Sequence, residues 1–148
     1  KVGYLTATPD LLGLIAKAHQ FLVFTTPSNL QKAVAHGLDH EQYWYTNLSK
    51  SLQIKRDMLQ LALTKIGFNV IPCKATYFMN ADYRPLGFDG TDVEFCHHLT
   101  VKAGVTVLPV SALYATPDVN HLVRFCFCKK DIILHGAVDR LQKFFRLR

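Results

Sequence analysis

Apolar residues recur every three or four positions through most of the first half of the chain, which is the spacing of helices with one buried face. Each stretch opens on a hydroxyl-bearing or acidic residue, as helix N-caps do, and two of the three close on glycine, as helices commonly do. The pattern predicts three helices, which begin at Thr8, Thr26 and Asp39 and end at Leu22, Gly37 and Gly67.

Shorter apolar runs bounded by turn residues dominate the second half and predict strands at residues 68–71, 76–80, 105–108 and 122–127. Two helices are expected among them. A capping box at residues 91–94, Thr-Asp-Val-Glu, opens the first, which should end at Gly104. Asp131 should open the second, a final helix that packs Leu134, Val138 and Leu141 inward.

The order of these elements predicts an α+β fold, because the helices come first and the strands cluster after Gly67. Residues 2–6 also read as a short strand, but no other strand is near them in the sequence. We therefore expect residues 1–36 to be the tail of one layer and residues 37–148 to form a compact second unit.

Composition is that of a folded protein, with 148 residues, 49% of them hydrophobic and 19% charged. No apolar run approaches the length of a membrane-spanning helix, and the first residues do not resemble a signal peptide. We expect neither feature. The chain begins with lysine, which permits a start within a longer protein.

The net charge of +6 raises the question of an acidic partner. Most basic residues are scattered, so nucleic-acid binding is not expected, but the last helix carries a cluster of Arg140, Lys143, Arg146 and Arg148. A non-catalytic binding module that uses this helix is therefore one hypothesis.

The cysteines at positions 73, 96, 126 and 128 form no Cys-x-x-Cys pair, so we expect no metal site and a reducing, cytoplasmic setting.

Arg124 is the sharpest candidate for chemistry, because it stands in the middle of an otherwise apolar strand. A guanidinium in such a place is costly unless an anion accompanies it. It could form an ion pair with an internal acid, lie on a strand edge that faces water, or bind a substrate carboxylate with two parallel hydrogen bonds. Spacing alone leaves these alternatives open.

Six segments in order resemble one family across essentially the whole chain. They are residues 1–4 (KVGY), 18–20 (AHQ), 75–78 (ATYF), 103–105 (AGV), 108–111 (LPVS) and 122–129 (LVRFCFCK). Together they resemble fold-type I, class I/II aminotransferases that depend on pyridoxal 5'-phosphate, particularly the kynurenine, glutamine-phenylpyruvate and methionine branch. The resemblance implies the C-terminal small domain of that three-layer α/β fold, preceded by a strand-helix tail of the large domain.

The resemblance also implies roles for individual residues. Arg124 matches the arginine that binds the substrate α-carboxylate, Lys1 matches a residue that contacts the cofactor phosphate, and Phe24 matches an aromatic that lines the neighbouring subunit's substrate pocket. Tyr77 and Phe78 are expected to be core instead. Ala75 departs from the family pattern, which has glycine there, so the turn it occupies is expected to differ.

The implied activity is transfer of an amino group from an aromatic, sulfur-containing or large neutral amino acid to a 2-oxo acid, by a homodimer. β-Elimination from cysteine conjugates on the same scaffold stays open. The lysine that carries the cofactor in the family would lie upstream of Lys1, so this chain alone is expected to be inactive and to contain no catalytic residue.

Overall fold

The computed structural model describes residues 2–116 and 118–146 and contains two compact units, Lys1–Leu48 and Ser49–Arg148. Helix α3 runs from the first unit into the second, so the division falls within a continuous helix. The proposed domain boundary after residue 36 stays a prediction.

The first unit is helical. It contains α1 (Pro9–Leu22), α2 (Ser28–His40) and the start of α3 (Gln42–Ile66). Helix α1 agrees with its prediction, including proline in the first turn. The strand expected at residues 2–6 is wrong, because residues 2–8 have no regular secondary structure and no described strand lies alongside to supply hydrogen bonds.

The boundary between α2 and α3 lies further along the chain than expected. Gly37 does not end α2, which continues through Asp39 to His40, so Asp39 does not cap α3. A single glycine inside a helix costs only about 1 kcal/mol, and its carbonyl still accepts a hydrogen bond from the Glu41 N–H at 2.9 Å. The helix breaks at Glu41 instead, where ψ is 38°.

The second unit contains one antiparallel sheet in the order β1-β2-β4-β3. Its strands are β1 (Asn69–Val70), β2 (Phe78–Asp82), β3 (Leu108–Pro109) and β4 (Leu122–Cys126). Its helices are α4 (Asp92–His98), continued by a π turn over Leu99–Ala103, and α5 (Asp131–Arg146), with short 3-10 turns at Arg84–Leu86 and Val110–Leu113. Helices packed with an antiparallel sheet confirm the α+β prediction.

Every buried residue in the described part of the chain belongs to the second unit. One face of the sheet supplies Met79, Ala81, Val123 and Phe125 to this core. The C-terminal half of α3 and one face of α5 cover it, through Leu59 and Leu63 and through the three inward residues predicted for α5, Leu134, Val138 and Leu141. In α1 and α2, by contrast, no residue is buried.

The start of α4 is fixed by polar contacts. The Thr91 Oγ1 accepts a hydrogen bond from the Glu94 N–H, and the Glu94 carboxylate accepts one from the Thr91 N–H at 2.8 Å, which confirms the capping box. Gly104, with φ of 66°, ends the π turn in the left-handed conformation and accounts for the predicted end of this helix.

Burial, with Asp92 nearby, raises the pKa of the Cys96 thiol to about 12.

Candidate functional site

Arg124 lies at the centre of β4, an interior strand with β2 on one side and β3 on the other. Side chains alternate along a strand, so Val123 and Phe125 enter the core while Arg124 projects from the opposite face and is half-buried. The alternative in which Arg124 lies on a water-facing strand edge is therefore wrong.

Two side chains of β2 hold the guanidinium group. Asn80 is the register partner of Arg124, and its Oδ1 accepts a hydrogen bond from Arg124 Nε at 3.2 Å. The ring of Phe78 lies below the guanidinium, with 5.2 Å between Cζ and the ring centroid, a favourable cation–π distance. Nε is thus occupied by a protein acceptor, and the guanidinium lies over an aromatic ring.

No carboxylate pairs with Arg124 among the residues that the structure describes. The ion pairs in that part of the chain join Lys55 to Asp131, Arg56 to Asp57 and Arg84 to Asp82. Burial alone would raise the pKa of Asp82, but hydrogen bonds from Arg84 lower it, so this nearby acid is already neutralised by another cation. Within residues 2–116 and 118–146, the charge of Arg124 therefore has no counter-ion.

An open cavity of about 260 Å³ lies in front of Arg124. The turn from Ile71 to Thr76 forms one wall, and Phe78, Asn80 and Arg124 form the other. None of the described residues that line it is acidic, whereas Lys74 adds a second cation. A cavity with two cations and no acid is suited to an anionic ligand.

The turn over this cavity contains a strained residue. Thr76 has a φ of 66°, a value that is unusual for a β-branched side chain. Its Oγ1 accepts a hydrogen bond from the Phe78 N–H at 3.3 Å, which supports the turn locally. The left-handed residue is therefore Thr76, and Ala75, the departure from the family pattern, is not the position that needs glycine.

Phe24, in the first unit, is also left-handed, with a φ of 65°, and its side chain is 82% exposed. It does not pack in a core, which was the alternative to a ligand contact. Lys1 lies outside the described residues. Phe24 belongs to the first unit and Arg124 to the second.

The sequence reasoning missed Phe78 and Asn80. Phe78 was expected in the core, but it lies on the Arg124 face, and Tyr77 is 46% exposed. Their contribution depends on the register of β2 with β4, which a single sequence does not give. The one available indication was an amide at position 80 within an apolar strand.

Metal ligands do not converge in groups of three or more anywhere in residues 2–116 and 118–146. Nor does any helix within those ranges have the length and apolar character needed to cross a membrane.

Comparison with known proteins assigns a family. The sequence model for "Aminotransferase class I and II" matches residues 1–141. A probable N-succinyldiaminopimelate aminotransferase of Mycobacterium tuberculosis is 42% identical over 95% of this chain, and a methionine aminotransferase of Escherichia coli is 38% identical over 97%. A kynurenine–oxoglutarate transaminase of Dictyostelium discoideum is 31% identical over 97% of the chain.

Solved structures agree with this assignment. The Mycobacterium tuberculosis N-succinyldiaminopimelate aminotransferase superimposes on 91% of this chain with a TM-score of 0.79 and 44% identity, the match covering 35% of that structure. The Escherichia coli protein YbdL, described as a methionine aminotransferase, gives a TM-score of 0.76 over 86% of this chain and 33% of its own. The chain spans 37–38% of the length of the three curated relatives above. It belongs to the class I and II aminotransferase family, whose members use pyridoxal 5'-phosphate.

Proposed function

We propose that the protein containing this chain is a pyridoxal-phosphate-dependent aminotransferase in which Arg124 binds the α-carboxylate of the amino-acid and 2-oxo-acid substrates. The observation that carries the proposal is a half-buried arginine that faces an open cavity and has no counter-ion in the part of the chain that the structure describes. Family membership supplies the reaction class.

The geometry of Arg124 suits a carboxylate. Its Nε–H is taken by Asn80, which leaves the two terminal nitrogens to donate parallel hydrogen bonds to two oxygens of one ligand. Such charge-assisted bonds are about twice as strong as neutral ones. The half-buried setting adds to their strength, because the interaction is less screened than at an open surface.

The bound cofactor supplies the electron-withdrawing system on which amino-group transfer depends. This chain is proposed to contribute only Lys1, near the cofactor phosphate, and the lysine that carries the cofactor is not among its residues. The described residues therefore act on the substrate side: they bind and orient its carboxylate. On this proposal, residues 37–148 are the C-terminal small domain and residues 1–36 the tail of the large domain.

The proposed substrates are aromatic, sulfur-containing or large neutral amino acids. The aromatic ring of Phe78 and the aliphatic Ile71 in the cavity wall support this class, as do relatives named for methionine and kynurenine. A second candidate is N-succinyldiaminopimelate, because one relative at 42% identity carries that name and Lys74 could pair with an additional carboxylate. Comparing kcat/KM for methionine, kynurenine and N-succinyldiaminopimelate decides between the two.

We also propose a cytoplasmic homodimer in which Phe24 lines the neighbouring subunit's substrate pocket. The support is local: an aromatic ring that is 82% exposed and held by a strained backbone is available for contact with another chain or a ligand. β-Elimination from cysteine conjugates would use the same carboxylate contact, so assays with such conjugates separate the two outcomes.

The non-catalytic alternative, a basic final helix that binds an acidic partner, has weaker support. Arg140 of that cluster donates a hydrogen bond to the Gly104 carbonyl at 3.0 Å and so has an internal role. Among the described residues of the cluster, this leaves the exposed Lys143 and Arg146. The family match covers this helix up to residue 141.

The test is Arg124→Ala in the full-length protein, with Lys143→Ala as a matched loss of one exposed cation. Arg124→Ala should lower kcat/KM for amino acids by a factor of about thirty to several thousand, corresponding to roughly 2–5 kcal/mol. Lys143→Ala should leave turnover unchanged. Unchanged turnover in Arg124→Ala would exclude the carboxylate role, and loss of turnover in Lys143→Ala would point to the final helix.

A further inference from the structure

Asn80 occupies a position whose chemistry controls what Arg124 can bind. The two residues are direct partners across the β2–β4 register, so their side chains leave the same face of the sheet side by side. Arginine has donors and no acceptor, so Asn80 must present its oxygen to Arg124 Nε, as the 3.2 Å contact shows.

The acceptor at this position is neutral, and that is the decisive property. A carboxylate here would form an internal ion pair and offset the positive charge that a substrate carboxylate needs. An aliphatic side chain would leave Nε without a partner and the guanidinium free to turn. The amide oxygen satisfies Nε while it leaves the full charge and both terminal nitrogens available on the cavity side.

Phe78 complements this restraint from a different direction. The guanidinium carbon lies 5.2 Å from the centre of its ring, while Asn80 accepts a hydrogen bond from Nε. The group is therefore restrained by two separate contacts. A donor pair that is already oriented loses less conformational entropy when a ligand binds.

We propose that Asn80 is a positioning residue for Arg124: as a neutral acceptor, it orients the guanidinium and keeps its charge available for a ligand carboxylate. This inference rests on the proposed role of Arg124. Asn80 itself need not touch the substrate, so its effect should depend on whether the ligand has a carboxylate.

The experiment measures binding of two probes that differ only at that group, 3-phenylpropionate and 3-phenylpropionamide, to the full-length cofactor-loaded protein. Asn80→Asp introduces the competing charge, and Asn80→Leu removes the acceptor at similar size. Gln53→Glu makes the same amide-to-carboxylate change on the exposed surface of α3 in the second unit and serves as the control. Arg124→Ala is measured in parallel.

Asn80→Asp should weaken 3-phenylpropionate binding at least tenfold, about 1.4 kcal/mol, and Asn80→Leu about threefold. Binding of the amide should stay within twofold in every variant, and Gln53→Glu should match the unaltered protein with both probes. In steady-state kinetics KM for the amino acid should rise while kcat changes little, because a contact made equally in ground and transition states is affected.

The outcomes separate the two proposals. If Arg124→Ala retains carboxylate binding, the role of Arg124 is wrong and the inference falls with it. If Arg124→Ala loses binding while both Asn80 variants keep it, only the inference about Asn80 is overturned. Equal weakening of both probes in the Asn80 variants, or a lower melting temperature of Asn80→Leu with unchanged carboxylate selectivity, would mean a structural role and would also overturn it.

Discussion

Asp92 is a buried carboxylate whose removal should loosen the link between α4 and the segment after β3. Its side chain has no exposed surface. Its two oxygens accept hydrogen bonds from the Ser111 N–H and the Ser111 hydroxyl, each at 2.8 Å. It also stands at the first position of α4, where the helix dipole favours a negative charge. These contacts offset the cost of burying the ion.

The magnitude follows from these contacts. Hydrogen bonds to a charged group contribute roughly 1.5–3 kcal/mol each, so the loss of two in Asp92→Ala should lower the local stability by about 3–6 kcal/mol. Asp92→Asn keeps an acceptor for the Ser111 N–H but loses the charge, and should cost about 1–2 kcal/mol. Ser111→Ala removes only the hydroxyl and keeps the backbone bond, so the loss of one such hydrogen bond, about 1.5–3 kcal/mol, is expected.

Hydrogen exchange followed by mass spectrometry in the full-length protein measures this effect locally. Peptides that cover Asp92–His98 and Val110–Leu113 should exchange faster in Asp92→Ala, while peptides from α1 should not change. The order of the three variants is the critical result. If Ser111→Ala costs as much as Asp92→Ala, or if Asp92→Ala costs less than about 1 kcal/mol, the carboxylate is not the link described here.

Two further predictions concern the core of the second unit. Leu63 has no exposed surface, so Leu63→Ala should lower the free energy of unfolding by about 3–5 kcal/mol in chemical denaturation. Leu61 is exposed on the same helix, so the control Leu61→Ala should lower it by less than about 1 kcal/mol. The pKa of Cys96 is raised in the folded protein to about 12, so the thiol ionises first in the unfolded chain. The free energy of unfolding should therefore be fully retained below about pH 9 and should fall between about pH 9 and pH 12. Cys96→Ala should reduce the slope of stability against pH in that range by up to about 1.4 kcal/mol per pH unit, and an unchanged slope would contradict the assignment.

Local signals in the sequence predicted the elements whose ends are set by short-range contacts. Proline at the start of α1, the capping box of α4 and Gly104 each act through neighbours within a few residues, so their consequences follow from the sequence. The apolar residues of β4 likewise marked Arg124 as an unusual position, although the face of the sheet that it occupies follows only from the structure. These elements were placed correctly.

Elements that depend on distant partners were predicted less well. The strand expected at residues 2–6 has no described neighbour, and β1 and β3 are only two residues each where runs of four were expected. The ends of a strand are set by the length of the strand beside it. The pairing of Asn80 with Arg124 could not be predicted for the same reason, because it depends on the register of β2 with β4.

Backbone strain is a separate structural signal at or near positions proposed to be functional. Phe24 and Thr76 are the non-glycine residues with positive φ in the described part of the chain. Each such conformation costs about 1–3 kcal/mol and persists only where surrounding contacts fix it. Thr76 lies in the wall of the Arg124 cavity, and Phe24 is the exposed aromatic proposed for the neighbouring pocket. One strained residue thus lines the cavity of the proposed carboxylate site, and the other is the aromatic proposed for the neighbouring pocket. This placement is expected if the strain shapes binding surfaces, and it would be a coincidence if the strain served packing alone.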